Sequence, residues 1–133
     1  MIEVTESPLS PERIVESVKS EGSGCVVTVT YVGLIRNHSQ GKPVLSVEYQ
    51  DPDGSASSTL QKIADEARRG WPIENVAISH RIGKLKVGDI NLVVAVASAH
   101  RDEGFAACRY IIDQFKARLP TQKIETYQDG QGK

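Results

Sequence analysis

Apolar residues recur at intervals of three and four in three stretches of the chain, the spacing of helices with one buried face. Ser10 is placed to cap the first helix, Ser57 or Ser58 the second, and Asp102 the third, which ends before Pro120. The predicted buried residues are, helix by helix, Ile14, Val15 and Val18; Leu60, Ile63, Ala64 and Ala67; and Phe105, Cys108, Ile111, Ile112, Phe115 and Leu119.

Alternation of apolar and polar residues outside these helices predicts β-strands. The first two strands are separated by a polar loop at 36–43, and we expect them to pair as a hairpin; the next two are expected to form another. The predicted strands cover residues 25–32, 45–50, 76–82, 90–98 and 122–127. The first of them is expected to be well buried.

Hairpins mixed with three helices, rather than strict strand-helix alternation, indicate an α+β fold with a mixed or antiparallel sheet. A chain of 133 residues fits one domain with a real core. The small, polar ending at 129–133 is predicted to be a frayed tail.

Acidic and basic residues nearly cancel, giving a formal net charge of −1, so no overall field attracts nucleic acid or an anionic membrane. Any anion site must therefore be local. The longest apolar run, 90–99, is about half the length that spans a bilayer. The acidic N-terminal segment resembles neither a secretory nor a transit signal, which predicts a cytoplasmic protein.

The two cysteines, Cys25 and Cys108, lie in apolar patterns without the spacing of a metal site. We expect both to be reduced and buried, and we predict neither a disulfide nor a metal centre.

Two His-Arg pairs differ in their surroundings. His80 shares a strand face with Val76 and Ile78, so it is predicted to be a hydrogen-bonded core histidine, with Arg81 on the opposite, wetter face. His100 and Arg101 lie where a strand ends and a helix begins, a place that favours anions. There they can clamp a phosphate or carboxylate, or be merely solvated charges beside a helix cap.

Three further cations are candidates. Lys116 lies near the end of the last helix, where the helix dipole favours a cation with or without a function. Lys123 and Glu125 would share a strand face and can form an ordinary ion pair. Arg36 begins the polar loop, where binding groups are often found.

Four segments taken together, TYVGLIRNH, RRGWPIENVAISHRIGKLKVGD, VAVASAHRDEGF and the stretch from DQFK to KIE, resemble the large, catalytic subunits of molybdopterin synthases in residue type, order and spacing. The resemblance covers most of the chain. It implies an α/β-hammerhead type of α+β fold and a sulfur transfer without a bound cofactor. A pterin precursor with a cyclic phosphate would receive two sulfurs from the C-terminal thiocarboxylate of a small ubiquitin-like partner.

The resemblance also implies roles for individual residues. Lys116 and Lys123 match the catalytic lysines, as general acid/base groups or a transient acyl acceptor. The remaining implied residues bind substrate: Arg36, His100, Arg101, Ile124 and Glu125. Two positions depart from the family, with Gln122 in place of a tryptophan and Leu34 in place of a lysine.

A straight last helix would separate His100 from Lys116 by roughly 20 Å. We therefore expect a two-fold dimer to bring His100 and Arg101 of one copy toward Lys116 and Lys123 of the other, in agreement with the family's central homodimer flanked by small subunits. One alternative is a dimeric subunit that binds the small partner without efficient sulfur transfer. Another, a phosphoesterase that uses His80, His100 and Lys116, is disfavoured because His80 faces the core.

Overall fold

The structure, a computed structural model, describes residues 1–19, 24–39 and 41–127. In chain order its elements are β1 (Ile2–Thr5), α1 (Pro11–Val18), β2 (Val27–Leu34), β3 (His38–Ser39), β4 (Lys42–Gln50), α2 (Ala56–Gly70), β5 (Asn75–Arg81), β6 (Gly83–Lys86), β7 (Ile90–Ser98), α3 (Arg101–Ala117) and β8 (Gln122–Tyr127). The predicted α+β class with three helices and mixed sheets is confirmed.

The first sheet has the strand order β1-β5-β7-β2, in which β1 runs parallel to β5 and the other pairs are antiparallel. Its central strands are buried on both faces. Val94 and Val96 of β7 pack toward α2 and α3, while Val93 and Ala95, on the other face, pack toward α1. Strand alternation thus divides one apolar run between two cores.

The second sheet is built on β4, which pairs antiparallel with β3, β6 and β8. Its own small core is formed by six buried residues: Ile35, Val44, Val47, Tyr49, Leu85 and Tyr127. This sheet places β8, with Lys123 and Glu125, opposite the end of α3.

The prediction of a hairpin between β2 and β4 is wrong, because β2 pairs with β7 in the first sheet. The physical reason lies in β7, whose two apolar faces suit a central strand with a neighbour on each side. The second predicted hairpin is confirmed, since β5 and β7 pair antiparallel with β6 in the connection between them. The short strands β1, β3 and β6 were not predicted.

Several predicted burial patterns need correction. One face of β2 is exposed, so this strand is not well buried, and Cys25 is only half-buried whereas Cys108 is buried. Phe105 is 59% exposed and Leu119 36% exposed, so neither belongs to the buried stripe of α3. Leu119 lies beyond the last residue of α3, Ala117, and near Phe105 the buried positions are the small residues Gly104 and Ala107. The helix lies close to β2 at this point, since a Cβ on Gly104 would lie 3.1 Å from Val29 Cγ2.

Two of the three helix starts differ from the prediction. Ser10 caps α1 as predicted, its Oγ accepting from the Arg13 amide. The second helix begins at Ala56, after Ser55, and the third has His100 rather than Asp102 at its N-cap position.

Within residues 1–19, 24–39 and 41–127, no helix is long and apolar enough to cross a membrane. The predicted frayed tail at 129–133 lies outside the described residues.

Candidate active site

A cleft of about 410 Å³ opens between the two sheets at the C-terminal end of α3. The first sheet and its helix contribute the end of β2, Asn91 of β7 and the end of α3, and the second sheet contributes β4 and β8. Its lining residues are Tyr31, Gly33, Leu34, Ile35, Arg36, His38, Val47, Tyr49, Asn91, Phe115, Lys116, Leu119, Lys123 and Glu125.

Three cations from separate parts of the chain line this cleft. Arg36 follows β2, Lys116 lies in the last turn of α3, and Lys123 lies in β8. One carboxylate accompanies them, because Glu125 Oε2 lies 3.8 Å from Lys123 Nζ in the predicted ion pair. Three positive groups against one negative group leave a formal excess of two positive charges, which suits an anionic ligand.

Behind the cleft lies His80, which is fully buried and hydrogen-bonded as predicted. Its Nδ1 lies 2.9 Å from the main-chain oxygen of Asn91, and its Nε2 lies 2.9 Å from Thr121 Oγ1. Burial lowers the pKa of the imidazole, so the ring is neutral at physiological pH. His80 does not line the cleft, and this separates it from any phosphoesterase role there.

Tyr49 and Asn91 are cleft residues that were not predicted. The Asn91 side-chain amide donates to Tyr49 Oη over 3.2 Å. Desolvation by burial, the main cause, raises the pKa of Tyr49, so its phenol is protonated at neutral pH. One signal did exist in the sequence: Asn91 is a polar interruption of the longest apolar run.

His100 and Arg101 lie in a second cleft of about 340 Å³, together with Val26, Val27, Ala99 and Asp102. The turn is fixed by Ser98, whose hydroxyl donates to His100 O over 2.6 Å and accepts from the His100 amide over 3.2 Å. The side chains of His100 and Arg101 are exposed. This cleft lies at the start of α3, whereas the first lies at its end.

A helix of 17 residues is roughly 25 Å long, so one chain does not bring the two clefts together. Of the predicted site residues, Arg36, Lys116, Lys123 and Glu125 share the first cleft, and His100 and Arg101 share the second. Ile124 is 39% exposed and lines neither. Gln122 shares the face of Ile124, since both alternate with Lys123 along β8.

Cys108 is buried in the core between α3 and the first sheet. Burial raises the pKa of the Cys108 thiol to about 11, so the thiol stays protonated at neutral pH. Across 1–19, 24–39 and 41–127 there is no cluster of three or more His, Cys, Asp or Glu side chains that could hold a metal ion.

The sequence of this chain is similar to those of known proteins. The family model described as MoaE protein matches residues 4–118. A molybdopterin synthase catalytic subunit from Nostoc sp. (strain PCC 7120) is 44% identical over 128 residues, which cover 96% of this chain and 76% of that protein.

Solved structures give the same likeness. The X-ray structure of molybdopterin synthase from Staphylococcus aureus has a TM-score of 0.87 at 31% identity, covering 96% of this chain and 92% of that one. A complex of subunits 1 and 2 of molybdopterin-converting factor from Helicobacter pylori contains a similar chain, with a TM-score of 0.76 over 98% of this chain and 87% of that one. At 12% identity the latter likeness concerns the fold alone.

Proposed function

Because this chain belongs to the MoaE family, matched over residues 4–118, we propose that it is the catalytic subunit of a molybdopterin synthase. It acts in molybdenum cofactor biosynthesis, where it transfers sulfur to a cyclic pyranopterin monophosphate and so forms the dithiolene of molybdopterin. The sulfur comes from the C-terminal thiocarboxylate of a small ubiquitin-like subunit. The cytoplasmic location stays a prediction.

The observation that carries this proposal is the meeting of Arg36, Lys116 and Lys123 in one cleft. Both reactants are anions, a phosphate ester and a thiocarboxylate, and cations lower the cost of bringing two anions together. The Arg36 guanidinium has the planar, two-donor geometry that suits a phosphate.

Each transfer replaces a carbon–oxygen bond of the pterin by a carbon–sulfur bond. The acyl carbon of the donor loses sulfur and gains oxygen, so the thiocarboxylate leaves as a carboxylate and no electrons are exchanged. The protons that move in this exchange are carried by the Nζ atoms of Lys116 and Lys123. Glu125, with its Oε2 3.8 Å from Lys123 Nζ, is the carboxylate that lies beside this lysine in the resting site.

The assay supplies the cyclic pterin phosphate and the thiocarboxylated small subunit and measures dithiolene product. Lys116→Ala and Lys123→Ala are expected to lower kcat by roughly a hundredfold or more, because each removes a proton-transfer group. Arg36→Ala is expected chiefly to raise KM for the pterin. The matched control is Lys62→Ala, which removes an exposed lysine of α2 outside both clefts and should leave the rate unchanged.

Other outcomes identify other functions. Wild-type protein that binds the small subunit but yields no product would indicate a binding subunit without sulfur transfer. Phosphate release in the absence of the small subunit would indicate a phosphoesterase. Wild-type rates for both lysine variants would refute this cleft as the active site.

The functional unit is a homodimer with a small subunit at each end, a heterotetramer. His100 and Arg101 of one copy complete the cleft that contains Lys116 and Lys123 of the other, and there they bind the pterin phosphate beside the two catalytic lysines. The length of α3 supports this arrangement, since the two clefts lie at its opposite ends. Ile124, exposed on the other face of β8, contacts substrate only if the assembly covers that face.

A further inference from the structure

A buried imidazole joins several of the elements that form the cleft. His80, in β5, has both ring nitrogens in hydrogen bonds although it does not line the cleft itself. The main-chain oxygen of Asn91 can only accept, so Nδ1 carries the ring proton. In the neutral ring Nε2 must then accept, and the Thr121 hydroxyl donates to it.

The partners of His80 belong to the framework that holds the cleft side chains. Thr121 is buried and directly precedes β8, which begins at Gln122 and contains Lys123. The ring of Phe115, the residue before Lys116, meets the imidazole edge-on with centroids 5.0 Å apart. The His80 ring therefore contacts the residue directly before Lys116 and the residue two positions before Lys123.

A second aromatic ring, that of Tyr49, also contacts the imidazole. Tyr49 of β4 meets it edge-on with centroids 4.8 Å apart. The same tyrosine accepts a hydrogen bond from Asn91, whose main-chain oxygen accepts from His80. Hydrogen bonds at both ring nitrogens and contacts with two aromatic rings leave the imidazole little freedom to rotate, so it can fix the distance between α3, β4 and β8.

We propose that His80 is a positioning residue, which in its Nδ1-protonated form fixes Thr121 and the start of β8 and so places Lys123 relative to Lys116. This inference rests on the proposed function, because it concerns the alignment of the two lysines. The hydrogen bond between His80 and Thr121 joins residues 41 positions apart in the chain. Substitution of Thr121 removes this bond and leaves His80 in place, so it tests the proposed role.

The test uses the complete complex with thiocarboxylated small subunit. Thr121→Val removes the hydroxyl at nearly constant volume and is expected to lower kcat roughly tenfold or more, with KM for the pterin nearly unchanged. Thr121→Ser keeps the hydroxyl and should restore most of kcat. Thr126→Val makes the same change elsewhere in β8 and controls for general damage to the strand.

Rates are measured at a temperature where melting curves show every variant folded. An unchanged kcat for Thr121→Val, or an equal loss for Thr126→Val, would overturn the positioning role. If Lys116→Ala and Lys123→Ala retain full activity, the proposed active site fails instead, so the two failures are distinguishable.

A second measurement tests the tautomer directly. The 15N spectrum of the histidine rings contains signals from three histidines, and those missing in His80→Gln belong to His80. We expect a protonated Nδ1 and an unprotonated Nε2. The opposite assignment would overturn the proposed hydrogen-bond chain.

Discussion

Gly104 lets α3 lie directly on the first sheet. A Cβ added there would lie 3.1 Å from Val29 Cγ2 and 3.3 Å from Ser98 Cβ, both on packed strands. We expect Gly104→Ala to lower the free energy of unfolding by about 1 kcal/mol, because the cost of overpacking exceeds the gain in helix propensity. Chemical denaturation measures this difference.

Gly70 provides the matched control for Gly104. It is the last residue of α2, and nothing lies within 4 Å of a Cβ built there. Gly70→Ala should leave the stability unchanged or raise it by a few tenths of a kcal/mol. Equal effects of the two substitutions would show that close packing of α3 on β2 does not matter to stability.

For an individual residue, the sequence predicts whether the side chain is buried better than it predicts which residues that side chain contacts. Strand parity correctly places His80 in the core, because its face is set by its apolar neighbours. Its partner Thr121 lies 41 positions away, and Tyr49 lies 42 positions from Asn91. Periodicity carries no information about such distant pairs, so Tyr49 and Asn91 were not predicted as cleft residues.

At the scale of elements, an ionic contact joins α2 to the residue that follows α3. Arg118 Nη1 donates to Glu66 Oε2 over 3.1 Å, and Tyr110 Oη donates to Glu66 Oε1 over 2.6 Å. The hydrogen bond from Arg118, and after it that from Tyr110, lowers the pKa of the Glu66 carboxyl from 4.5 to about 2. Arg118 lies two residues beyond Lys116, so the contact also steadies one side of the cleft.

This contact predicts a pH dependence of stability. The folded state depresses the pKa of Glu66, so its contribution is present above about pH 4.5 and is lost as the pH falls toward 2. Glu66→Gln should therefore melt at a lower temperature than wild type at pH 7. The gap should narrow as the pH falls through this range, as followed by thermal melting.

Asp113→Asn is the control for Glu66→Gln. Asp113 lies on α3 with its carboxylate 3.9 Å from Arg109, and both side chains are largely exposed. Surface pairs of this kind contribute little, so this variant should melt like wild type across the pH range. A constant gap between Glu66→Gln and wild type from pH 7 to pH 2 would contradict the assigned role.

Elements were predicted well where the pattern is local and less well where pairing is distant. The limits of β8 and the cap of α1 agree with prediction because alternation and a Ser-Pro start are local signals. The predicted partner of β2 was wrong because both β4 and β7 have apolar faces that could pair with it. The hydrophobic pattern alone does not distinguish these two pairings. β2 pairs with β7 because β7 is a central strand that needs a neighbour on each side.

At the scale of the whole molecule, charge is locally concentrated although it is balanced overall. The chain has a net charge of −1, yet its cleft has a formal excess of two positive charges. Because the net charge is near zero, any anion site had to be local. The cations of this site were predicted from the resemblance of the sequence motifs to those of the family. That Arg36, Lys116 and Lys123 share one cleft depends on the second sheet, which the sequence did not indicate.

Mixed dimers test the proposed assembly. A Lys116→Ala chain combined with an Arg101→Ala chain yields one intact site per mixed dimer if sites are shared between copies. Random pairing makes half of the dimers mixed, so about a quarter of wild-type activity should return. Product formation before and after subunit exchange measures the recovery.

The control mixes Lys116→Ala with Lys123→Ala. These lysines line one cleft of the same chain, so every site in the mixed dimer lacks one of them and no activity should return. Recovery in this control, or none in the first mixture, would contradict a site shared in the proposed way.

The 17 residues of α3 also act as a fixed spacer. Substitutions on its exposed face leave its two ends in register, but one inserted residue would turn everything beyond it by about 100° and advance it by about 1.5 Å. Lys116 would then point away from the cleft even though every residue of both sites was still present. The count of residues between His100 and Lys116 is therefore a constraint on insertions and deletions, separate from the identity of any side chain.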